Sequence, residues 1–209
     1  NVKFITSSKT KAITINSCRR GSIKNCYFEG YTEAISVPVN TDNAFGQHTN
    51  RIEIVGNKYE NVSYFVKGYA TVGIVFSMAD YIISSNEGTA LVEHINIDTL
   101  DGVTISDNIM FFSGSVDQSP IKANCVNIKY SAWINIHDNK FFEAGLSGLV
   151  LTECSRYSSH DNLYAFCGQR VESPAISIGG TPVSGDYFSQ GEIHNELIID
   201  PSGNGIVIY

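Results

Sequence analysis

Residues 134–145 read INIHDNKFFEAG, and residues 157–168, starting 23 positions later, read YSSHDNLYAFCG. In both, His-Asp-Asn precedes an aromatic residue: His137, Asp138, Asn139 and Phe141, then His160, Asp161, Asn162 and Tyr164. A doubled His–Asp pair invites a catalytic or metal-binding reading. A doubled turn invites a repeat. The surrounding sequence decides between them.

The motif belongs to a longer alternation of two patterns. One is an apolar-x-apolar strand, at Ile13/Ile15, Ile35/Val37, Ile74/Phe76, Ile95/Ile97, Val126/Ile128, Leu149/Leu151, Ile176/Ile178 and Ile206/Ile208. The other ends in an asparagine followed two residues later by an apolar or aromatic side chain, at Asn25, Asn57, Asn86, Asn108, Asn139, Asn162 and Asn195. Order is kept over seven units; the shortest take about 21 to 23 residues and the longer ones carry insertions at turns.

Each unit supplies three short period-2 strands: the apolar pair, a second strand before the asparagine (Val103/Ile105, Ile134/Ile136) and a third after it (Tyr59, Phe141, Tyr164). One unit cannot bury its inward face alone. Stacking at ~4.8 Å makes three parallel sheets around a continuous core. Asparagine tolerates a left-handed turn, and its amide can bond the same amide one level away. A stacked asparagine row is therefore expected between second and third strands. His137/Asp138 and His160/Asp161, with Asp107 one level earlier, then fall in surface turns; stacked carboxylates could bind a cation there, but turns favour aspartate beside asparagine without any ligand.

Composition agrees. Isoleucine and valine number 41 against seven leucines, and 18 glycines and 18 asparagines supply turns, so the chain reads as all-β. A net charge of −7 argues against a nucleic-acid groove, and no apolar run approaches the length of a membrane span, so no membrane insertion is expected. Five cysteines, Cys18, Cys26, Cys125, Cys154 and Cys167, with no Cys-x-x-Cys pair, support neither a zinc ribbon nor a complete disulfide framework, and free thiols are expected. Residues 1–209 read as a single domain. The start at Asn1 and the stop just after Ile206/Ile208 suggest a fragment of a longer chain, whose open coil end a further domain or a partner subunit covers.

The ~22-residue coil, the unit I-x-I-x-x-N-x-F and the asparagine row resemble the right-handed parallel β-helix of pectate-lyase-like proteins, most of all bacteriophage tailspikes and polysaccharide depolymerases, over about residues 13 to 208. The resemblance implies an all-β, right-handed, single-stranded parallel β-helix of about seven rungs and three sheets, assembled as a homotrimer. It implies a place on a virion tail or otherwise outside the cell. The implied partner is a bacterial capsular or O-antigen polysaccharide, bound and cleaved by endo-glycosidic hydrolysis with no cofactor. A non-catalytic receptor-binding or shaft module and a secreted polysaccharide lyase are the alternatives.

Inward columns are packing, so chemistry is sought on outward columns and in insertions. Outward on the first strands run Thr14, Ser36, Val75, Asn96, Asn127, Val150, Ser177 and Val207. Glu33, Glu93 and Asn124 lie upstream, and Asp98, Lys129 and Thr152, followed by Glu153, downstream. On the same flank, Trp133 and Arg156 align 23 residues apart, just before their second strands, and are expected to form one patch with these residues. The sole tryptophan at an outward position suits a sugar-stacking platform with a cation–π partner; its other reading is packing under a loop or at a subunit interface.

The candidate catalytic carboxylates are Asp98, Glu153 and Glu93, and the candidate substrate-binding residues are Trp133, Arg156, Asn96, Asn127 and Lys129. Glycoside hydrolysis uses two carboxyls, roughly 5–5.5 Å apart if retaining and roughly 6.5–9.5 Å if inverting. Asp98 and Glu153, two levels apart, are ~9.6 Å apart along the axis, at the upper edge of the inverting range. A lyase would use Lys129 and Arg156 as charge neutralisers, but a calcium-dependent pectate lyase needs clustered aspartates and only Asp98 stands there. There is no Gly-rich phosphate loop and no Gly-x-Ser-x-Gly elbow. The insertions PVNTDNAFGQHTN (38–50), SGSVDQSPIKAN (113–124) and GGTPVSGDYFSQG (179–191) are further places where recognition could reside.

Overall fold

The structure, a computed structural model, describes residues 2–6, 10–16, 18–38, 49–69, 78–114, 122–168, 171–179 and 190–209. The described residues contain no helix, and their strand pairings are parallel throughout. The β-branched, period-2 segments form a seven-stranded sheet and a fourteen-stranded sheet. The smaller sheet runs in chain order from Gly21–Lys24 through Leu100–Ser106, Ala132–His137 and Ser155–His160 to Gly191–His194. Parallel pairing of strands that never neighbour each other in sequence is consistent with a β-helix type of fold.

In the larger sheet, two series of short strands stack, one represented by Lys140–Phe142 and the other by Val126–Lys129. The long strands Lys58–Gly68 and Glu87–Asp98 pass unbroken through both series. Register shifts between Tyr59/Val62 and Val62/Tyr64 absorb the bend that a turn makes elsewhere. Such continuous strands corrected one expectation. The pair Ile74/Phe76, expected as a first strand, lies outside the described residues. Its place in the pairing between Ile35 and Ile95 is held by Val66, and the outward place expected for Val75 is held by Lys67. Most of the three insertions, residues 39–48, 115–121 and 180–189, also lie outside them.

Inward side chains of the same kind stack level upon level. Ile54, Ile83, Ile105 and Ile136 form one column of the smaller sheet, all fully buried. The third-strand column holds Phe28, Tyr59, Met110, Phe141 and Tyr164, each at most 1% exposed, with Phe141 and Tyr164 stacked at 4.7 Å. Burying such a side chain contributes about 1.5–3 kcal/mol each. At the last level Ile206 and Ile208 are exposed.

The expected asparagine row is present, shifted at both ends. Asn57, Asn86, Asn108, Asn139 and Asn162 are all buried. Each of the first four donates from Nδ2 to Oδ1 of the next, at 3.0, 3.0, 2.9 and 3.0 Å. Each also donates to a main-chain carbonyl of the smaller sheet, Asn108 to Ile83 O at 2.9 Å and Asn139 to Ile105 O at 2.8 Å. The same Oδ1 accepts the neighbouring main-chain N–H, as in Asn86 N to Asn108 Oδ1 at 3.0 Å. Asn25 and Asn195 are not members. They sit one residue earlier, with φ of 54° for both, in the left-handed column shared by Gly56, Ser85, Asp107, Asp138 and Asp161. The row begins instead at Cys26, whose N–H donates to Asn57 Oδ1 at 2.9 Å. It ends at Glu196, which accepts from Asn162 N at 2.8 Å and Asn162 Nδ2 at 3.2 Å.

Left-handed residues recur at three further places. Thr99, Tyr130 and Glu153 follow the first-strand series; Phe112, Glu143, Phe166 and Asp200 follow the third strands. The last column, Arg51, Asp80, Gly102, Trp133 and Arg156, lies inside the smaller sheet, where each member is skipped by the pairing and bulges outward.

One buried polar network crosses the core where the long strands turn. His94 is fully buried; Tyr59 Oη donates to its Nδ1 at 2.6 Å and its Nε2–H donates to Phe111 O at 3.1 Å. Burial pushes the imidazole down to about 3, against the pull of the Phe111 carbonyl. Between pH 3 and the ordinary histidine value near 6.5 the unfolded chain therefore takes up a proton that the native state refuses, so stability falls as pH drops through that window. Urea unfolding should show a loss from this residue of up to about 1.4 kcal/mol per pH unit between pH 6.5 and 5, and His94→Gln should flatten that slope. For the row itself, Asn108→Ala strands the Asn86 donors and the Ile83 carbonyl. Thermal melting should register a loss of about 3–5 kcal/mol, or roughly 10 °C, while Asn25→Gly and Asn195→Gly change stability by only a few tenths of a kcal/mol.

Candidate functional site

The candidate residues divide between the two sheets. On the outward side of the larger sheet, Glu93 is buried and is met by three side-chain amides: Asn127 at 3.2 Å, Asn124 at 3.4 Å, and Asn96. Along the next positions Asp98 pairs with Lys129 and Lys129 with Thr152, with Glu153 following in a left-handed turn. Half-burial pushes the Asp98 carboxyl above the ordinary aspartate range, while Lys129 and Lys67 pull it back. Glu153 keeps Oε2 buried without a hydrogen-bond partner. Asp98, Lys129 and Glu153 thus come together at one corner of the fold, two strand spacings deep, and Glu93, Asn96 and Asn127 form the amide-locked cluster beside them.

Trp133 and Arg156 lie across that corner, on the smaller sheet. The main chain at Trp133 is left-handed, with φ of 55°, which swings the indole out of the sheet so that it is 58% exposed. Arg156, one level on with φ of 51°, lays its guanidinium over the indole at 4.5 Å from the ring centroid. Such a contact is worth about 0.5–1 kcal/mol at an exposed site. Trp133 separates two open depressions. One, of about 530 Å³, is walled by Arg156, Asn135, Ser158, Gln190 and Glu192. The other, of about 490 Å³, is walled by Arg51, Glu53, Asp80, Gly102 and Thr104. In the second, Glu53 is paired with Lys24, and Asp80 with Arg51 at 3.9 Å.

The wall residues Arg51, Asp80 and Gly102 went unnoticed in the sequence, although the signal was there. Each stands one residue before the inward residue of its second strand, as Trp133 stands before Ile134. Extending the Trp133–Arg156 alignment back by three levels finds all of them.

The doubled histidines are turn-side residues with an added order. His137, His160 and His194 stack at 5.1 and 4.8 Å between ring centroids, their planes within 5° of parallel. His137 and His160 each bond the neighbouring aspartate, Asp138 or Asp161, through Nδ1 at 2.8 Å. His194 instead turns Nε2 toward Glu192 at 3.9 Å, and among the described residues no group of three or more His, Cys, Asp or Glu side chains converges as metal ligands. The five cysteines are free.

As the sole tryptophan, Trp133 makes the intrinsic fluorescence of the protein a report on this face. With Arg156 over the ring, iodide should quench its emission more efficiently than caesium, and Arg156→Gln should bring the two quenchers closer together. No family model, no curated protein and no solved structure matches this chain.

Proposed function

We propose that this chain is a tailspike-like, right-handed parallel β-helix of about seven rungs and three sheets, and that it binds and cleaves a bacterial surface polysaccharide, capsule or O-antigen, by endo-glycosidic hydrolysis. The observation that carries the reading is the exposed Trp133, held under Arg156 between two open depressions on a face that runs along the stack. Aromatic platforms with few, well-placed polar groups suit sugar rings, whose axial faces are apolar and whose rims donate and accept. The protein acts on a virion tail or otherwise outside the cell, as a homotrimer. Exposed Phe166, Leu197 and Ile199, beside the stacked pair Phe111 and Phe142 at 5.2 Å, give the outer side of the third strands an apolar stretch suited to a second copy.

In this reading Asp98, whose carboxyl half-burial pushes above the ordinary aspartate range, is the general acid that protonates the leaving oxygen. Glu153, two levels away at ~9.6 Å along the axis, the upper edge of the inverting range, is given the activation of water. Lys129 and the amides of Asn96 and Asn127 position hydroxyls. Glu93, already engaged by three amides, orients Asn96 and Asn127.

A second reading, a non-catalytic recognition module, is favoured by the pairing of two carboxylates that line a depression with Trp133, Glu53 with Lys24 and Asp80 with Arg51. Incubation with a panel of capsular and O-antigen polysaccharides, following polymer size and reducing ends, decides between them. The expected result is cleavage of one polymer, reduced roughly 100-fold or more by Asp98→Asn and by Glu153→Gln, with the protein sedimenting as a trimer. Binding without cleavage would establish the recognition module instead.

A further inference from the structure

The left-handed column of the smaller sheet carries a gap. Arg51, Asp80, Trp133 and Arg156 all project side chains from it, and Gly102, between Asp80 and Trp133, projects none. One face of the indole is covered by the Arg156 guanidinium at 4.5 Å. The opposite face looks toward the level of Gly102, and the depression of about 490 Å³ on that side is walled by Trp133, Asp80, Arg51, Glu53 and Thr104.

We propose that the slot above Gly102 is a subsite for one neutral, hydroxyl-rich sugar ring, lying flat on the open face of Trp133 with its hydroxyls donating to Asp80 and Glu53. The inference rests on the polysaccharide reading and adds the position and the charge class of one bound unit. Dimensions agree. Asp80 and Trp133 are two strand spacings apart, ~9.6 Å. A ring in contact with the indole at ~3.5–4 Å leaves ~6 Å on its other side, enough for the Asp80 carboxylate to reach a hydroxyl.

Charge selects the ring. Asp80 and Glu53 face the slot as acceptors, and their cations, Arg51 and Lys24, are engaged with them. A uronate would set its carboxylate against two others, while Arg156, the cation next to Trp133, lies on the far side of the indole. Neutral hydroxyls donate to both acids without that repulsion. Gly102 has φ of 92°, and a Cβ there would meet Asp80 Oδ1 at 3.4 Å. Space for a Cβ thus exists there, the neighbouring levels hold side chains on a left-handed backbone, and an asparagine, which tolerates that backbone, would project into the gap.

The test titrates Trp133 fluorescence with neutral gluco-, galacto-, manno- and rhamno-oligosaccharides and with an oligogalacturonate, in the wild type, Gly102→Asn and Asp80→Asn. Melting curves of each protein and polymer co-sedimentation run alongside. The expected result is a saturable response to a neutral sugar, roughly tenfold or more tighter than to the oligogalacturonate. It is lost in Gly102→Asn and weakened roughly tenfold in Asp80→Asn, a variant that keeps the shape of the slot. No response to any sugar, preference for the uronate, or unchanged response in Asp80→Asn and a folded Gly102→Asn overturns the subsite. Polymer bound equally by the wild type and Gly102→Asn removes the slot but leaves the polysaccharide reading standing. A filled slot with no polymer bound or cut does the reverse.

Discussion

The buried row of asparagines is the constraint on which the other features depend. A turn between two stacked strands brings main-chain N–H and C=O groups into the interior, where each lacks water and costs about 1–3 kcal/mol if unpaired. At every level from Asn57 to Asn162 one carboxamide meets those needs and its neighbour's as well. Because each amide must reach the next, the levels cannot slip relative to one another. That registry makes columns of every other position.

Columns of left-handed residues follow from the same registry. A non-glycine residue in that conformation costs on the order of 1 kcal/mol, and eighteen of the described residues adopt it. The cost is met because a turn shaped differently from its neighbours would break main-chain hydrogen bonds on both sides, such as Asp107 N to His137 O at 3.3 Å and Tyr130 N to Thr152 O at 3.0 Å. Within the smaller sheet the same conformation has a second effect. It takes one residue per level out of the pairing and turns it outward, so side chains distant in sequence share one face with fixed spacing. Trp133 owes its exposure to that bulge; an alternating strand position would have sent it inward or edge-on.

Much of the stack was legible in the sequence, for physical reasons. Period-2 apolar pairs such as Val126/Ile128 and Ile134/Ile136 have one solution in a half-buried strand, and both fell where expected. Asn25 and Asn195 misled because asparagine suits two adjacent places, the left-handed turn and the amide row, and sequence spacing alone cannot separate positions one apart. Val66 was not expected as a first-strand residue because the strand Lys58–Gly68 takes its bend, at the left-handed Asn61, without breaking into two strands. In the site, the alignment of Trp133 with Arg156 was visible. Their separation from Asp98 and Glu153 by a corner was not, since a corner is set by φ angles at Tyr130 and Glu153, residues with no turn signature. His94 gave no sign of burial, because its partners Tyr59 and Phe111 lie 35 and 17 residues away.

The amide row also has a direction. Every bond in it points the same way, from Nδ2 of one residue to Oδ1 of the next along the chain, from Asn57 to Asn162. Aligned amide dipoles add, as peptide dipoles do along a helix, and leave the last N–H groups as a positive pole. That pole at Asn162 abuts the one carboxylate in the column, Glu196, which takes both the main-chain and side-chain N–H. Glu196 is thus to this row what an acidic cap is to a helix N-terminus. It places an anion where the summed field of five buried amides favours one, and so marks the terminus of a polar wire built from side chains alone.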